Sequence, residues 1–352
     1  MKILALNSSL RAGIESKTEL LLNALVSGMR AGNAIVETVN LKDVRINYCL
    51  GCYACMTATP GTCIQKDDMT ATLFPKWCAS DLVVYASPLF HHTVNALMKT
   101  FIERTFPAVE PFLVMKNGVT GHPIRQALPK AVVLSVCGFP EISEFYALSH
   151  YAKALFKERL VAEIYRPGAE MLDAVKTKRD EVLEAVYKAG LHIAENKPLS
   201  PEILETVAKP LTKGNDAFNA VANLFWKTLI REKKLPRSFN RENRVPRPES
   251  IDEYLLLLET GFNPAKAAGM NITVQFDFTG SALGSCHIII SREKLTTRIG
   301  KAEKPDLHIS SPFETWMDVT TRTADGAELF LNKAYTVSGD VDLLIDFSSL
   351  FK

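Results

Sequence analysis

Residues 49–63 read CLGCYACMTATPGTC, setting four of the chain's seven cysteines at the spacing C-x2-C-x2-C-x7-C. Thiols clustered this way have four chemistries open to them: a structural disulfide, a zinc site, a dithiol redox switch, or the ligands of an iron–sulfur cluster. An odd count of cysteines in a chain expected to be cytoplasmic weighs against the disulfide. Zinc usually takes two C-x-x-C knuckles separated by a longer loop, and the sequence has no second knuckle. Cys49, Cys52 and Cys55 form a compact triplet, and a turn expected at Pro60-Gly61 can return Cys63 to it, so that the four surround one 4Fe–4S cubane. The cluster is the first reading of this loop and a dithiol switch the second, with zinc or inert thiols behind both. Cys78, Cys137 and Cys286 stand alone in apolar surroundings and read as small buried hydrophobes.

A second kind of chemistry lies in NSSLRAGIESKT (7–18). Ser8, Ser9, Ser16 and Thr18 offer hydroxyls, Arg11 and Lys17 offer charge, and a helix opening at about Ser16 offers unpaired backbone N–H groups. That set suits a phosphate monoester. Neither G-x-G-x-x-G nor the Walker pattern is present, so the loop fits an FMN phosphate better than a dinucleotide or ATP. The competing reading is a helix capped by Ser16 among solvated polar neighbours. In SPLFHHTVN (87–95), Pro88, Leu89, Phe90 and His91 supply a wall for a planar ring, with Val94 and Asn95 leading into a helix; His92 is given no role. In CGFPEISEF (137–145), Gly138 is expected to admit close approach of a cofactor edge.

These loops need a scaffold that brings them together. The chain of 352 residues, 47% hydrophobic and 23% charged, can bury a large core and should hold two domains. Its net charge of +2 gives no field that argues for nucleic acid, and no segment has the length and character of a signal peptide or a membrane span. Strand-like runs at 2–6, 34–41, 82–87, 131–136 and 161–166 alternate with helical patterns at 16–30, 94–105 and 173–195. The alternation predicts βαβ units and a doubly wound α/β parallel sheet, with ligands beyond the carboxyl ends of the strands. Ser87-Pro88 is expected to punctuate the end of the third strand.

From 198 to 262 the pattern is helical with several breaks, and Ala220, Leu224, Phe225, Leu229 and Ile230, with Trp226 beside them, read as a packing stripe. KKLPRSFNRENRVPRPES within it reads as a solvated linker. After it the apolar period becomes two. NITVQFDFTG, SCHIIIS, KLTTRIG and DLHIS predict an antiparallel meander, and Ser311-Pro312-Phe313-Glu314 a capping box opening a helix across it. The domains expected are therefore 1–197, a helical linker region 198–262, and an α+β domain 263–352.

Taken together, NSSLRAGIESKTELLL, the cysteine run, SPLFHHTVNALMKTFIER and VCGFPE resemble the NAD(P)H-dependent FMN reductases and iron–sulfur flavoproteins. The resemblance spans roughly the first half of the chain. It implies a flavodoxin-like fold, FMN with NAD(P)H as donor, and a compact cluster motif of this form. It places the phosphate on Ser8, Arg11, Ser16 and Thr18, and the ring and ribityl chain on Pro88, Leu89, Phe90, Val94 and Gly138. Asn7 and Ser9 depart from the Gly and Pro usual in that group, and His91-His92 from its aromatic or small residues. It also implies a homo-oligomer with the Cys49–Cys63 loop near an interface. FDFTGSALGSCHIII, KPDLHISSPFETWMDV and YTVSGDVDLLIDFSSLF resemble the sterol carrier protein type 2 domain, which implies an apolar tunnel for lipids or fatty acyl groups. Three functions follow: a cluster-bearing FMN oxidoreductase handling an apolar ligand, a plain flavin or quinone reductase, and a lipid-binding or redox-sensing protein without turnover.

Overall fold

Strands rich in Val, Leu, Ile and Ala that are apolar at nearly every position can be buried on both faces only inside a parallel sheet covered by helices. That is the state of β1 (Lys2–Asn7), β3 (Leu82–Phe90) and β4 (Lys130–Val136), whereas β2 (Ile35–Asn40) is largely exposed and β5 (Leu160–Arg166) is buried at alternate positions. The computed structural model describes residues 1–11, 13–116, 118–242 and 244–351. They divide into two compact units, 1–171 with 178–210, and 172–177 with 211–352.

In the first unit the five strands run parallel in the order β2-β1-β3-β4-β5, the flavodoxin-like arrangement. Helices α1 (Lys17–Ala31), α2 (Ala96–Glu103), α3 (Tyr146–Phe156) and α4 (Lys176–Ala194) supply the crossovers and covering layers. Where α1 meets α4, a Cβ on Gly28 would fall 1.9 Å from the Tyr187 carbonyl oxygen, and one on Gly190 would fall 2.0 Å from that of Leu25. The two backbones touch because neither residue carries a side chain, and any substitution there must push the helices apart.

The third strand does not end at Ser87-Pro88. It runs on to Phe90 and folds back on Thr93–Val94, pairing Leu89 with Val94 and Phe90 with Thr93. Pro88 is tolerated because it is the last residue of β3 to pair with β4, opposite Val136, where the parallel ladder stops and a missing N–H costs little. At the end of β5 the guanidinium of Arg166 is buried and donates to the carbonyls of Val207 (2.6 Å) and Lys209 (2.9 Å), closing the C-terminal end of α5 (Pro201–Ala208). Burial, offset only in part by Cys137, pulls this guanidinium down to about 10.

The second unit begins with α6 (Asn215–Glu232), α7 (Pro236–Arg241) and α8 (Ile251–Gly261). On α6 the buried face is Phe218, Val221, Leu224 and Thr228, together with Leu229, so the expected stripe is only partly packed. Ile230 and Trp226 lie off that face and are 75% and 52% exposed. The sheet comprises β6 (Asn271–Thr279), β7 (Gly284–Ser291), β8 (Lys294–Ile299), β9 (Leu307–Pro312) and β10 (Thr336–Gly339), ordered β8-β7-β6-β9-β10. The meander holds for β6 to β8. β9 breaks it by crossing over to pair parallel with β6, where Leu307 and Ile309 sit beside Val274 and Phe276 and join the same core.

The capping box expected at Ser311 is absent. Pro312 ends β9 and precedes α9 (Phe313–Thr320), the Ser311 hydroxyl donates to the Pro312 carbonyl, and the Glu314 carboxylate accepts from the Ser281 amide instead. Glu314 is thus spent on the β6–β7 turn rather than on its own helix. Among the described residues no helix is long and apolar enough to cross a membrane.

Candidate functional site

The carboxyl ends of β1, β3 and β4 carry the three loops that the sequence singles out. After β1, Ser8, Ser9, Ser16, Lys17 and Thr18 are all buried. The Ser8 hydroxyl donates to the Ala86 carbonyl (3.2 Å) and the Ser9 amide to Asn7 Oδ1 (3.0 Å). Ser16 Oγ donates to Ser9 Oγ (2.8 Å) while accepting from the Glu19 amide (3.1 Å) as the N-cap of α1. Short buried hydroxyls thus gather at the positive end of a fifteen-residue helix. Arg11 stands at the rim, its guanidinium 2.6 Å from Glu170 with both side chains more than half exposed.

After β3 the chain turns in two residues, His91 (φ 45°) and His92 (φ 63°), both in the left-handed region. Two positive φ values in a two-residue hairpin are the signature of a type I′ turn, which Asn-Gly fills most easily and tandem histidine only at a cost of about 1–3 kcal/mol per residue. The turn presents Phe90 54% exposed. Asn95 fixes the return: its Oδ1 accepts from the Met98 amide (3.2 Å) as the N-cap of α2, and its Nδ2 donates to the Ser8 carbonyl (2.6 Å). One side chain therefore ties the second loop to the first. His92, given no role from sequence, lies 3.4 Å from Glu144 and links the second loop to the third.

In the third loop a Cβ on Gly138 would meet no atom within 4 Å. Gly138 therefore faces open space instead of crowding a neighbour. Leu89 and Val94 pack into the core behind the hairpin, and Pro88 is half-buried. Buried hydroxyls at a helix N-terminus, a rim arginine, an exposed aromatic and an open glycine face fit a phosphate monoester bearing a planar ring, which is the chemistry of FMN.

The cysteines sit in the long connection between β2 and β3. Cys49 and Cys52 are exposed, Cys55 and Cys63 half-buried, and all four are free thiols. Left-handed backbone at Gly51 (φ 62°) and Tyr53 (φ 54°) winds the triplet back on itself. The Thr62 amide donates to the Thr59 carbonyl (2.9 Å) across Pro60 and Gly61 (φ 80°), a type II turn, and the Gly61 amide donates to the Cys55 carbonyl (2.9 Å). This is the expected turn, and it returns Cys63 to the triplet. Burial raises the Cys55 thiol, and repulsion from Cys63, Cys49 and Cys52 raises it further, so the other three thiols lie within electrostatic reach of Cys55. Among the described residues no three His, Cys, Asp or Glu side chains close around one point as a single metal ion requires. Four cysteine thiols carried on one loop are, as a donor set, the ligand chemistry of an iron–sulfur cubane.

Sequence reasoning missed the residue that organises this loop. Arg104, following α2, has a side chain only 1% exposed and forms a bidentate pair with the equally buried Asp67, at 2.6 and 3.1 Å. It also donates to the Asn47 carbonyl (2.7 Å), Thr70 Oγ1 (3.0 Å) and Cys63 Sγ (3.4 Å). Partners 34 to 57 residues away leave no local pattern, so no spacing could have revealed it. Cys63, Thr70 and Arg104 share a cavity of about 270 Å³ with Cys78 and Gln126.

Residues 1–164 match the family described as NADPH-dependent FMN reductase, and 255–352 the SCP-2 sterol transfer family. An iron–sulfur flavoprotein of Archaeoglobus fulgidus is 39% identical over 87 residues, 25% of this chain and 38% of that protein. A second from the same organism is 32% identical over 30% of this chain and 49% of its own length, so the chain spans less than half of either. An iron–sulfur flavoprotein of Clostridioides difficile is 31% identical over 178 residues, 47% of this chain and 75% of that protein. Among solved structures, an NAD(P)H:quinone oxidoreductase from Methanothermobacter marburgensis aligns at 16% identity and TM-score 0.42, covering 55% of this chain and 98% of that one. With three-quarters of the Clostridioides protein matched at this identity, the chain belongs to the iron–sulfur flavoprotein family.

Proposed function

We propose that this protein is an FMN-dependent oxidoreductase that takes NAD(P)H as donor and holds a 4Fe–4S cluster on Cys49, Cys52, Cys55 and Cys63. The observation that carries the flavin reading is the buried hydroxyl set Ser8, Ser9, Ser16 and Thr18 at the N-terminus of α1, beside the open face at Gly138. FMN, when bound, exchanges electrons singly or as a hydride, and a cluster exchanges them singly. The chain's own part is to bind and orient. The first loop takes the phosphate, Arg11 exchanges its weak surface partner Glu170 for it, and Leu89, Phe90 and His91 wall the ring. Asn95 holds the phosphate loop and the ring loop in one geometry.

The visible spectrum of anaerobically purified protein tests the reading. Flavin bands with a broad cluster shoulder are expected; flavin alone would leave a plain reductase, and no chromophore would remove both. Arg11→Ala should retain less FMN through gel filtration, and an unchanged flavin content would count against the phosphate assignment.

Two finer parts complete the proposal. Tyr48, Leu50 and Tyr53 in the cysteine loop are each more than half exposed, and Tyr53 meets Phe106 edge-on at 6.1 Å. Apolar surface of that kind is suited to burial against a second copy. Light scattering should give a homo-oligomer, and a monomer at micromolar concentration would exclude it. The second unit is proposed to take an apolar ligand, supported by its match to the SCP-2 sterol transfer family.

A further inference from the structure

Of the four cysteines, Cys63 is the one whose sulfur accepts a side-chain hydrogen bond among the described residues. The donor is not a mobile surface cation. Arg104 is buried, its plane is fixed by the bidentate Asp67 pair, and its remaining bonds go to the Asn47 carbonyl and Thr70. Asn47 lies two residues before Cys49, while Asp67 and Thr70 follow Cys63. One guanidinium therefore grips both ends of the cysteine loop and aims an N–H at a sulfur inside it. Its residue caps α2, and at the other end of that helix Asn95 bonds the first cofactor loop.

We propose that Arg104 is a positioning residue for the cluster, donating Nη2–H to the Cys63 sulfur and so raising the cluster's reduction potential. The inference rests on the cluster reading above. Reduction adds an electron whose charge spreads onto the ligand sulfurs, and an N–H donor held at one of them stabilises the reduced state more than the oxidised one. The Asp67 carboxylate offsets much of the long-range charge of Arg104, which leaves the short, directional N–H···S contact as its specific contribution. Lysine cannot reproduce it. A single ammonium nitrogen cannot reach the Asp67 carboxylate, the Asn47 carbonyl and the Cys63 sulfur together, as the planar fork does.

The test uses the full-length, anaerobically reconstituted protein. Arg104→Lys that folds and retains iron should show a cluster midpoint more negative than wild type in a spectroelectrochemical titration, with the FMN midpoint as internal control. A cluster midpoint equal to wild type overturns the proposal. A second measurement needs no substitution and so does not depend on the variant's folding: pulsed EPR of the reduced cluster in wild type labelled with ¹⁵N-arginine. Coupling to ¹⁵N is expected from a donor at 3.4 Å from a ligand sulfur, and its absence overturns the proposal. Wild type that takes up no iron overturns the cluster reading and this inference with it, whereas iron with no arginine coupling overturns this inference alone.

Discussion

Cys63→Ala should purify with FMN at the wild-type level and with almost no iron or acid-labile sulfide. The two proposed cofactor sites are built from different elements: the loops proposed for the flavin follow β1, β3 and β4, while Cys63 lies between β2 and β3. Removing one thiolate leaves a three-ligand shell and a labile cluster. The local fold should survive, because Arg104 keeps Asp67, Thr70 and the Asn47 carbonyl when the sulfur is gone, and the Thr59–Thr62 turn does not use the side chain. Iron and sulfide assays beside flavin fluorescence, on protein kept anaerobic throughout, give the answer directly. Iron unchanged in the variant would remove Cys63 from the ligand set; flavin and iron lost together would mean that the loop and the flavin site are one cooperative structure.

Much of this arrangement was legible because it is local. The alternation of apolar runs with helical periods leads to a parallel sheet, and the order β2-β1-β3-β4-β5 is that of the flavodoxin-like fold the resemblance implies. Ser16 as N-cap and the Pro60-Gly61 turn are readable for the same reason: the residue and its partner lie within a few positions of each other. What could not be read is set by tertiary partners. Ser87-Pro88 looks like a strand end, yet the strand continues because Leu89 and Phe90 find antiparallel partners in Val94 and Thr93. The S-x-x-E pattern at Ser311 looks like a capping box, yet Glu314 turns to the Ser281 amide. β9 looks like the next strand of a meander, yet its apolar alternation is satisfied equally well beside β6. Arg104 and Asp67, 37 residues apart, carried no signal in sequence.

That pair supports the second large effect. Asp67→Ala should destabilise the first unit by about 3–5 kcal/mol at neutral pH, since it leaves the Arg104 guanidinium buried without its counter-charge. Replacing both partners by apolar residues of similar size, as in Asp67→Leu with Arg104→Met, should cost less than the single change, because no uncompensated charge remains. Acid should reproduce part of the loss in wild type. Burial by itself would raise the Asp67 carboxyl, but the bonds from Arg104 and from the Asn47 and Thr70 amides overcome it and lower the group from 3.8 to about 2. A carboxyl depressed in the folded state contributes stability above its ordinary value and loses it as pH falls through the folded value. About 2 kcal/mol should therefore disappear between pH 4 and pH 2. Urea unfolding followed across that range separates the causes: wild type should lose stability steeply, and the double variant should lose less by the share that Asp67 carries. Equal slopes in the two proteins would show that the acid sensitivity resides in other carboxylates and that Asp67 is not held ionised by Arg104.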